Sequence, residues 1–340
     1  MSVKQPVRSA GIWATGMVAA LAACTVGVLV LHSHDAPGPV AAEKSSAGNV
    51  SAKEPGSEPG AKSPRAKAEE AEFPDPSVIA RRFTTELTRL FKQNKVVAPS
   101  ELFRQAQQAK RCDVVPLPEP GERLPPEAIY ARARPAVVVI GSVMRPSGHR
   151  GFHAALASGF VIRGDGVLVT NYHVLEAFQH ARAVAAMTHD ERVLPIQKVL
   201  AADEHNDVAV VKVDAENLAA LPIAASAPVG ATVYCLSHPA LDTGESETAF
   251  FTFTQGIVCG KFHLRLNGPK PLNVLAITAD YAKGSSGGPI LNDRGAVVGI
   301  ICQTRALFHD QDETEPQITW KFSRPSSSLL ALLQPAAGPP

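Results

Sequence analysis

The chain has 340 residues, of which 45% are hydrophobic and 19% are charged, which excludes a fully disordered protein. Its 33 Lys and Arg nearly balance its 32 Asp and Glu. That balance argues against a nucleic-acid-binding protein that uses a large basic face.

The first 34 residues have the pattern of a membrane-directed segment. Residues 10–31 form a mainly apolar run that follows Lys4 and Arg8. A bilayer-spanning helix needs about 20 such residues, and the basic flank stays in the cytoplasm. We therefore predict a single-pass signal anchor in the cell membrane, with the rest of the chain on the periplasmic side. Two alternatives stay open: a cleaved secretory signal, and a lipoprotein signal with Cys24 as the lipidated residue.

Two segments connect this start to the main domain. Residues 35–72 are mostly Ala, Pro, Gly, Ser, Lys and Glu, and they are predicted to form a disordered linker because they cannot bury enough apolar area. Residues 73–128 are predicted to be a helical extension, since apolar residues recur at helical spacing over 76–93. This extension is expected to pack on the main domain, or alternatively on a partner chain.

From about residue 129 the pattern is that of β-structure. Short runs rich in Val, Ile, Phe and Thr are separated by turn residues, without alternating helices, which predicts barrels or sandwiches. Residues 327–340 are predicted to form a C-terminal helix and tail. The predicted strands are 136–143, 159–163, 166–170, 193–199, 207–213, 229–236, 248–258, 273–278, 296–302 and 317–323.

Three separate motifs carry candidate chemistry. Ser286 lies in a glycine-rich loop, which can expose a hydroxyl while backbone N–H groups converge on one spot. His173 follows a predicted strand, and Asp207 enters an apolar strand, where a carboxylate is costly unless it has a donor. Each of the three also has a structural interpretation when taken singly. The loop of Ser286 is typical of a flexible turn, His173 of a structural histidine, and Asp207 of a turn-capping aspartate.

Taken together, the motifs resemble those of the chymotrypsin-like (trypsin-like) serine proteases, and specifically of their bacterial HtrA/Deg-like branch. The resemblance covers residues 129–326. It implies an all-β fold of two six-stranded antiparallel β-barrels, at about 129–222 and 230–326, with the active site in the cleft between them. The matching motifs are Ala157-Ser-Gly-Phe-Val-Ile162, Thr170-Asn-Tyr-His-Val174, Asp207-Val-Ala-Val-Val211, Gly256-Ile-Val258 and Gly284-Ser-Ser-Gly-Gly-Pro289.

The resemblance also implies a role for each residue of the site. Ser286 would be the nucleophile, His173 its general base, and Asp207 the group that orients the imidazole. The backbone N–H groups of Gly284 and Ser286 would form the oxyanion hole. Ser285 is not the expected nucleophile, because the serine of this family directly precedes Gly-Gly-Pro. The implied activity is that of a serine endopeptidase that works through an acyl-enzyme, with no cofactor and no metal.

Specificity is less well defined by the sequence. Asp280 occupies an offset that resembles the acidic base of a trypsin-type S1 pocket, and its alternative role is that of a surface or loop-fixing residue. HtrA-like relatives usually prefer small aliphatic residues instead. Gln317, Ile318 and Thr319 resemble the strand that pairs with the substrate backbone. Because only 15 residues follow Pro325, we expect no PDZ domain of the kind many HtrA proteins carry.

Two other functions are compatible with parts of the sequence. The barrels could form a protein-binding module with little turnover. An esterase of the α/β-hydrolase type would fit the G-x-S-x-G pattern at 284–288, but it needs Asp and His after the serine, and His309 is the only later His. We expect the substrates to be extended or unfolded peptides or proteins, and we expect no nucleic-acid partner. The sequence is compatible with a homo-oligomer. Cys235, Cys259 and Cys302 are expected to be small buried thiols, with a disulfide as the alternative.

Overall fold

The computed structural model describes residues 74–145, 151–241, 247–266, 269–309 and 316–333. The predicted signal anchor, Cys24 and the linker therefore lie outside the described residues. Among the described residues, no helix combines the length and apolar character needed to cross a bilayer.

The first β-barrel carries two of the three candidate site residues. Its strands are closed in the order β1-β2-β3-β6-β5-β4, and every pairing is antiparallel. Valine, isoleucine and alanine fill its strands, as expected for β-branched residues on buried pleated surfaces. The strands are β1 (Val137–Met144), β2 (His153–Arg163), β3 (Val167–Thr170), β4 (Ala183–Met187), β5 (Val193–Asp203) and β6 (Val208–Val213).

The second barrel is also closed and antiparallel, in the order β10-β11-β14-β13-β12-β7. A two-stranded sheet, β8 (Ala240–Leu241) with β9 (Glu247–Thr248), stands outside it. The topology matches the predicted fold class, an all-β pair of six-stranded barrels. The barrel strands are β7 (Thr232–Ser237), β10 (Thr252–Leu264), β11 (Leu272–Ile277), β12 (Pro289–Leu291), β13 (Val297–Phe308) and β14 (Pro316–Pro325).

Five α-helices lie around the barrels within the described residues, together with a 3-10 turn at Arg134–Ala136. A shared core joins the two barrels, because one cluster of buried residues draws side chains from both, including Phe160, Leu236 and Ile300. The helices are α1 (Pro76–Lys92), α2 (Pro99–Gln108), α3 (Pro126–Ala133), α4 (Tyr172–Phe178) and α5 (Ser326–Leu332).

The helical extension packs on the first barrel of its own chain. Asp75 caps α1 by accepting a hydrogen bond from the Ser77 N–H at 2.8 Å, and Pro76 occupies the first turn. The apolar face of α1 buries Phe83 and Leu87 completely against β1, β2 and β4. A side chain at Gly141 would overlap the Phe83 ring, so this strand position must be small.

Loss of the Phe83 ring should destabilise the protein. We expect Phe83→Ala to lower the free energy of unfolding by about 3–5 kcal/mol, because a fully buried ring leaves a cavity. Urea denaturation measures the change. Thr85→Ala, on the exposed side of the same helix, is the matched control and should stay within about 0.5 kcal/mol of wild type. Equal effects of the two substitutions would show that α1 does not pack as described.

The cysteines follow the prediction in part. Among the described residues, none of the four cysteines is in a disulfide. Cys235 and Cys302 are buried as predicted, but Cys259 is exposed, because it lies on a segment of β10 whose burial alternates. Residues on the outward side of such a strand face solvent.

Candidate active site

Three different structural contexts bring the predicted residues to one place. His173 is in the first turn of α4, directly after β3. Asp207 precedes β6 in a tight turn and has a φ of 54°, a left-handed conformation that aspartate tolerates better than most residues. Ser286 lies in the loop between β11 and β12, where Gly284 and Gly287 have φ values of 90° and 87°. Glycine is required at such positions because it has no Cβ penalty there.

The Asp207 carboxylate holds His173 by two separate contacts. His173 Nδ1 lies 2.8 Å from Asp207 Oδ2, and the His173 backbone N–H donates to Asp207 Oδ1 at 2.9 Å. The Asn171 side-chain amide donates to the Asp207 backbone carbonyl at 2.7 Å. The orientation of Asp207 relative to His173 is therefore fixed by both backbone and side-chain hydrogen bonds. Nδ1 of His173 carries the proton because it faces a carboxylate.

Cys302, on β13, completes this group. Its thiol donates to Asp207 Oδ2 at 2.9 Å, so that oxygen has partners from both barrels. The sequence indicated a buried thiol at this position and did not indicate its partner, since the two residues are 95 positions apart. Ligand atoms of His173, Asp207 and Cys302 lie within 4.8 Å of one another, and the hydrogen bonds among them explain this closeness without a metal.

The electrostatics of the pair favour its charged form. Burial raises the pKa of the Asp207 carboxyl, but the His173 charge and hydrogen bond outweigh it, so the net direction is down. Burial lowers the pKa of His173, and the neighbouring Asp207 carboxylate raises it by more, so the net direction is up. The imidazole can therefore accept a proton more readily than an isolated histidine with the same burial.

Ser286 adjoins the same group from the second barrel. Its hydroxyl donates to the backbone carbonyl of Cys302 at 3.3 Å, which is the hydrogen bond that the Ser286 side chain makes within the described residues. Among the described residues the hydroxyl makes no hydrogen bond to His173, and catalytic contacts of this kind often tighten only when substrate binds. Ser285, by contrast, is fully buried and its hydroxyl bonds to Ser237 Oγ at 3.0 Å, which gives it a structural position.

The structure places Asp280 at the surface. Its side chain is 84% exposed and lies 3.5 Å from Lys321 Nζ, which also donates to the Tyr281 carbonyl. Tyr281 is buried, and its hydroxyl donates to the Gln303 carbonyl at 3.0 Å. An exposed carboxylate that already has a cationic partner fits the loop-fixing role better than the base of an S1 pocket.

The structure does not bring Gln317, Ile318 and Thr319 to Ser286. Thr319 pairs with Ala306 on β13, four residues beyond Cys302, which corresponds to about 13 Å along a strand. The β13 segment at Cys302 is the one that contacts the Ser286 hydroxyl. The sequence could not locate this segment, because both strands of the hairpin have similar β-rich composition.

Comparisons with known proteins agree with this geometry. Residues 157–300 match the family described as the trypsin-like peptidase domain. The chain is 36% identical over 161 residues to a protein named "Probable periplasmic serine endoprotease DegP-like" from Halomonas elongata, covering 46% of this chain and 31% of that protein. It is also 36% identical over 155 residues to "Putative serine protease HhoB" from Synechocystis, covering 44% and 34% of the two chains.

Among solved structures, a serine endoprotease from Yersinia pestis is 25% identical, with a TM-score of 0.45 over 62% of this chain and 65% of that one. The chain spans about a third of the length of the two curated relatives described above. The similarity to the trypsin-like peptidase domain covers residues 157–300, and the two curated relatives carry the names of serine proteases.

Proposed function

We propose that the chain is a serine endopeptidase in which Ser286, His173 and Asp207 act as a catalytic triad. The observation that carries the proposal is the 2.8 Å contact between His173 Nδ1 and Asp207 Oδ2, with the Ser286 hydroxyl held beside the same pair through Cys302. This arrangement leaves His173 Nε2 as the proton acceptor of the site, which is the tautomer that a general base needs.

The chemistry follows from these positions. Ser286 Oγ attacks the scissile carbonyl and passes its proton to His173 Nε2, while Asp207 stabilises the imidazolium that forms. His173 then gives the proton to the leaving amine, and an acyl-enzyme remains on Ser286. A water molecule, deprotonated by His173, hydrolyses the ester and restores the serine. The oxyanion of each tetrahedral intermediate would lie against the N–H groups of Gly284 and Ser286.

Substrate and location are part of the same proposal. The expected substrates are extended peptide or unfolded protein segments, because a backbone in extended form can pair with an exposed strand edge. Curated relatives carry the word periplasmic in their names, and the apolar run at 10–31 is typical of an exported chain. We therefore propose that the peptidase domain works on the extracytoplasmic side of the cell membrane.

One observation favours a second candidate, a peptide-binding module with little turnover. The Ser286 hydroxyl donates to Cys302 O instead of to His173, so a protein locked in this arrangement would bind peptides without cleaving them. The two functions differ in whether Ser286 can be activated.

Labelling with a fluorophosphonate probe distinguishes the two functions. The wild-type protein should react covalently, because the probe requires an activated serine hydroxyl. Ser286→Ala should not react, and Ser285→Ala is the control variant that should retain labelling if it folds. Equal labelling of wild type and Ser286→Ala would reject the triad, and absence of labelling in wild type would favour the binding module.

A further inference from the structure

Ser158 lies on β2 of the first barrel, yet its polar groups bond to the nucleophile loop of the second barrel. It is fully buried. Its hydroxyl donates to the Gly284 carbonyl at 2.9 Å and accepts the His238 backbone N–H at 3.0 Å. Its backbone N–H donates to the Ser286 carbonyl at 2.9 Å, and its carbonyl accepts the Thr170 hydroxyl at 2.9 Å. One residue thus links the loop of Ser286 to the end of the strand that leads to His173.

The loop from 283 to 286 has a donor for each of its carbonyls, whereas only one of its four N–H groups has an acceptor. Within the described residues, that N–H group is the one of Ser285, so the N–H groups of Lys283, Gly284 and Ser286 have no acceptor. Ser158 supplies two of those donors. The pairs are Lys283 O with Ala240 N at 2.7 Å, Gly284 O with Ser158 Oγ at 2.9 Å, Ser285 O with Gly288 N at 3.0 Å, and Ser286 O with Ser158 N at 2.9 Å.

This pattern determines which way the peptide planes of the loop face. The Gly284 carbonyl belongs to the same peptide plane as the Ser285 N–H, which donates to Ala282 O at 3.0 Å. With a partner at each end, the plane cannot rotate without breaking a hydrogen bond. Glycine at 284 has a φ of 90° and would otherwise be free to rotate, so the serine hydroxyl restricts the most flexible point of the loop.

The loop that carries Ser286 packs closely against the first barrel next to Ser158. A Cβ at Gly287 would overlap both the Ser158 carbonyl oxygen and the Thr170 side chain. The loop is therefore pressed directly against β2 at this point. Ser158 contacts the loop of Ser286 through its backbone N–H and through its hydroxyl, and the hydroxyl is the part that a substitution can remove.

We infer that Ser158 is a positioning residue for the oxyanion hole. Its hydroxyl holds the peptide plane of the Gly284 carbonyl and the Ser285 N–H, which lies between the two planes that carry the Gly284 and Ser286 N–H groups, and its backbone N–H holds the plane that follows the Ser286 N–H. This inference rests on the proposed peptidase function. Ser158 does not touch the substrate and acts through the loop. Its effect should therefore appear in the transition state, where negative charge develops on the oxygen, and should be small in ground-state binding.

The test compares Ser158→Ala with wild type in the full chain. We expect kcat to fall by at least about 10-fold, less than the 10²–10³-fold that loss of an oxyanion donor itself typically causes, with KM nearly unchanged. Affinity for a peptidyl trifluoromethyl ketone, whose adduct with Ser286 carries an oxyanion, should fall in parallel with kcat. Active-site titration corrects each value for any unfolded fraction.

The chain offers a matched control. Ser142, on the neighbouring strand β1, is also fully buried, and its hydroxyl has no hydrogen-bond partner among the described residues. Ser142→Ala removes the same atom and should leave kcat and ketone affinity as in wild type. Ser158→Cys, with a thiol as the weaker donor, should fall between wild type and Ser158→Ala.

Each outcome decides between the claims. An active wild type with unchanged kcat and ketone affinity in Ser158→Ala, or in Ser158→Cys if the alanine variant does not fold, overturns the role of Ser158 alone. A rise in KM with constant kcat also overturns it, because that result indicates ground-state binding. A wild-type protein without turnover and without labelling of Ser286 refutes the proposed function, and this inference with it.

Discussion

Replacing His173 by alanine should lower kcat by roughly 10⁶-fold, the loss typical for removal of the base from such a triad. The reason is that the Ser286 hydroxyl is a weak nucleophile near neutral pH unless a base takes its proton as it attacks. Ser286→Ala should cost about as much, and the double variant no more than either single one, because the two residues act as one unit.

Cleavage of unfolded casein or of a fluorogenic peptide measures these losses. His180→Ala is the matched control. His180 is exposed just beyond the end of α4 and makes none of the hydrogen bonds described above for Asp207. It should retain wild-type kcat. A double variant in which the two losses multiply would show that His173 and Ser286 act independently, which contradicts the triad.

Asp207→Asn should lower kcat by roughly 10⁴-fold while leaving the fold intact. An amide can donate as well as accept, so it permits the imidazole tautomer in which Nδ1 is the acceptor and Nε2 keeps its proton. That tautomer cannot take a proton from Ser286. With the amide NH2 facing Nδ1, the His173 backbone N–H keeps an oxygen acceptor and the Cys302 thiol, a weak donor, loses its own, so stability should change less than activity.

The same substitution should change the pH dependence. In wild type, kcat/KM should fall as the pH decreases through the pKa of His173, because only the neutral imidazole is a base; the Asp207 carboxylate raises that pKa above the usual 6.5. In Asp207→Asn the charge is lost and the burial stays, so the midpoint of the acid limb should move to lower pH. Asp214→Asn, exposed at the far end of β6, should change neither kcat nor the midpoint.

The measurement is a pH profile of kcat/KM for wild type, Asp207→Asn and Asp214→Asn. An acid limb that stays at the same pH in Asp207→Asn would mean that another group controls the charge of His173, and the electrostatic account of the pair would then be wrong.

Much of the architecture was predictable from local patterns. Short runs rich in Val, Ile, Phe and Thr predicted the strands, and turn residues separated them, because both signals act over a few residues. The apolar face of α1 was visible in the spacing of Phe83 and Leu87. The family motifs around His173, Asp207 and Ser286 carried the expectation of two barrels, and the strand order agrees with it.

The specificity residues were less predictable, for a physical reason. Asp280 and the segment 317–319 were chosen by their offset in the chain, and an offset does not specify exposure or register. In the structure, Lys321 pairs with Asp280, and the pairing of β13 with β14 carries Thr319 away from Ser286. The first outcome depends on where the loop after β11 lies against β14, and the second depends on which residue of β13 faces which residue of β14.

The amino-acid sequence by itself determined which residue types were available for chemistry, the order in which they occur, and the secondary structure that carries them. Only the tertiary structure decided that the Cys302 thiol bonds to Asp207 and that Ser158 holds the carbonyls of the Ser286 loop. Those contacts join residues 95 and 126 positions apart. Local preferences act over a few residues, so contacts at this range are set by the closure of each barrel and the packing of one on the other.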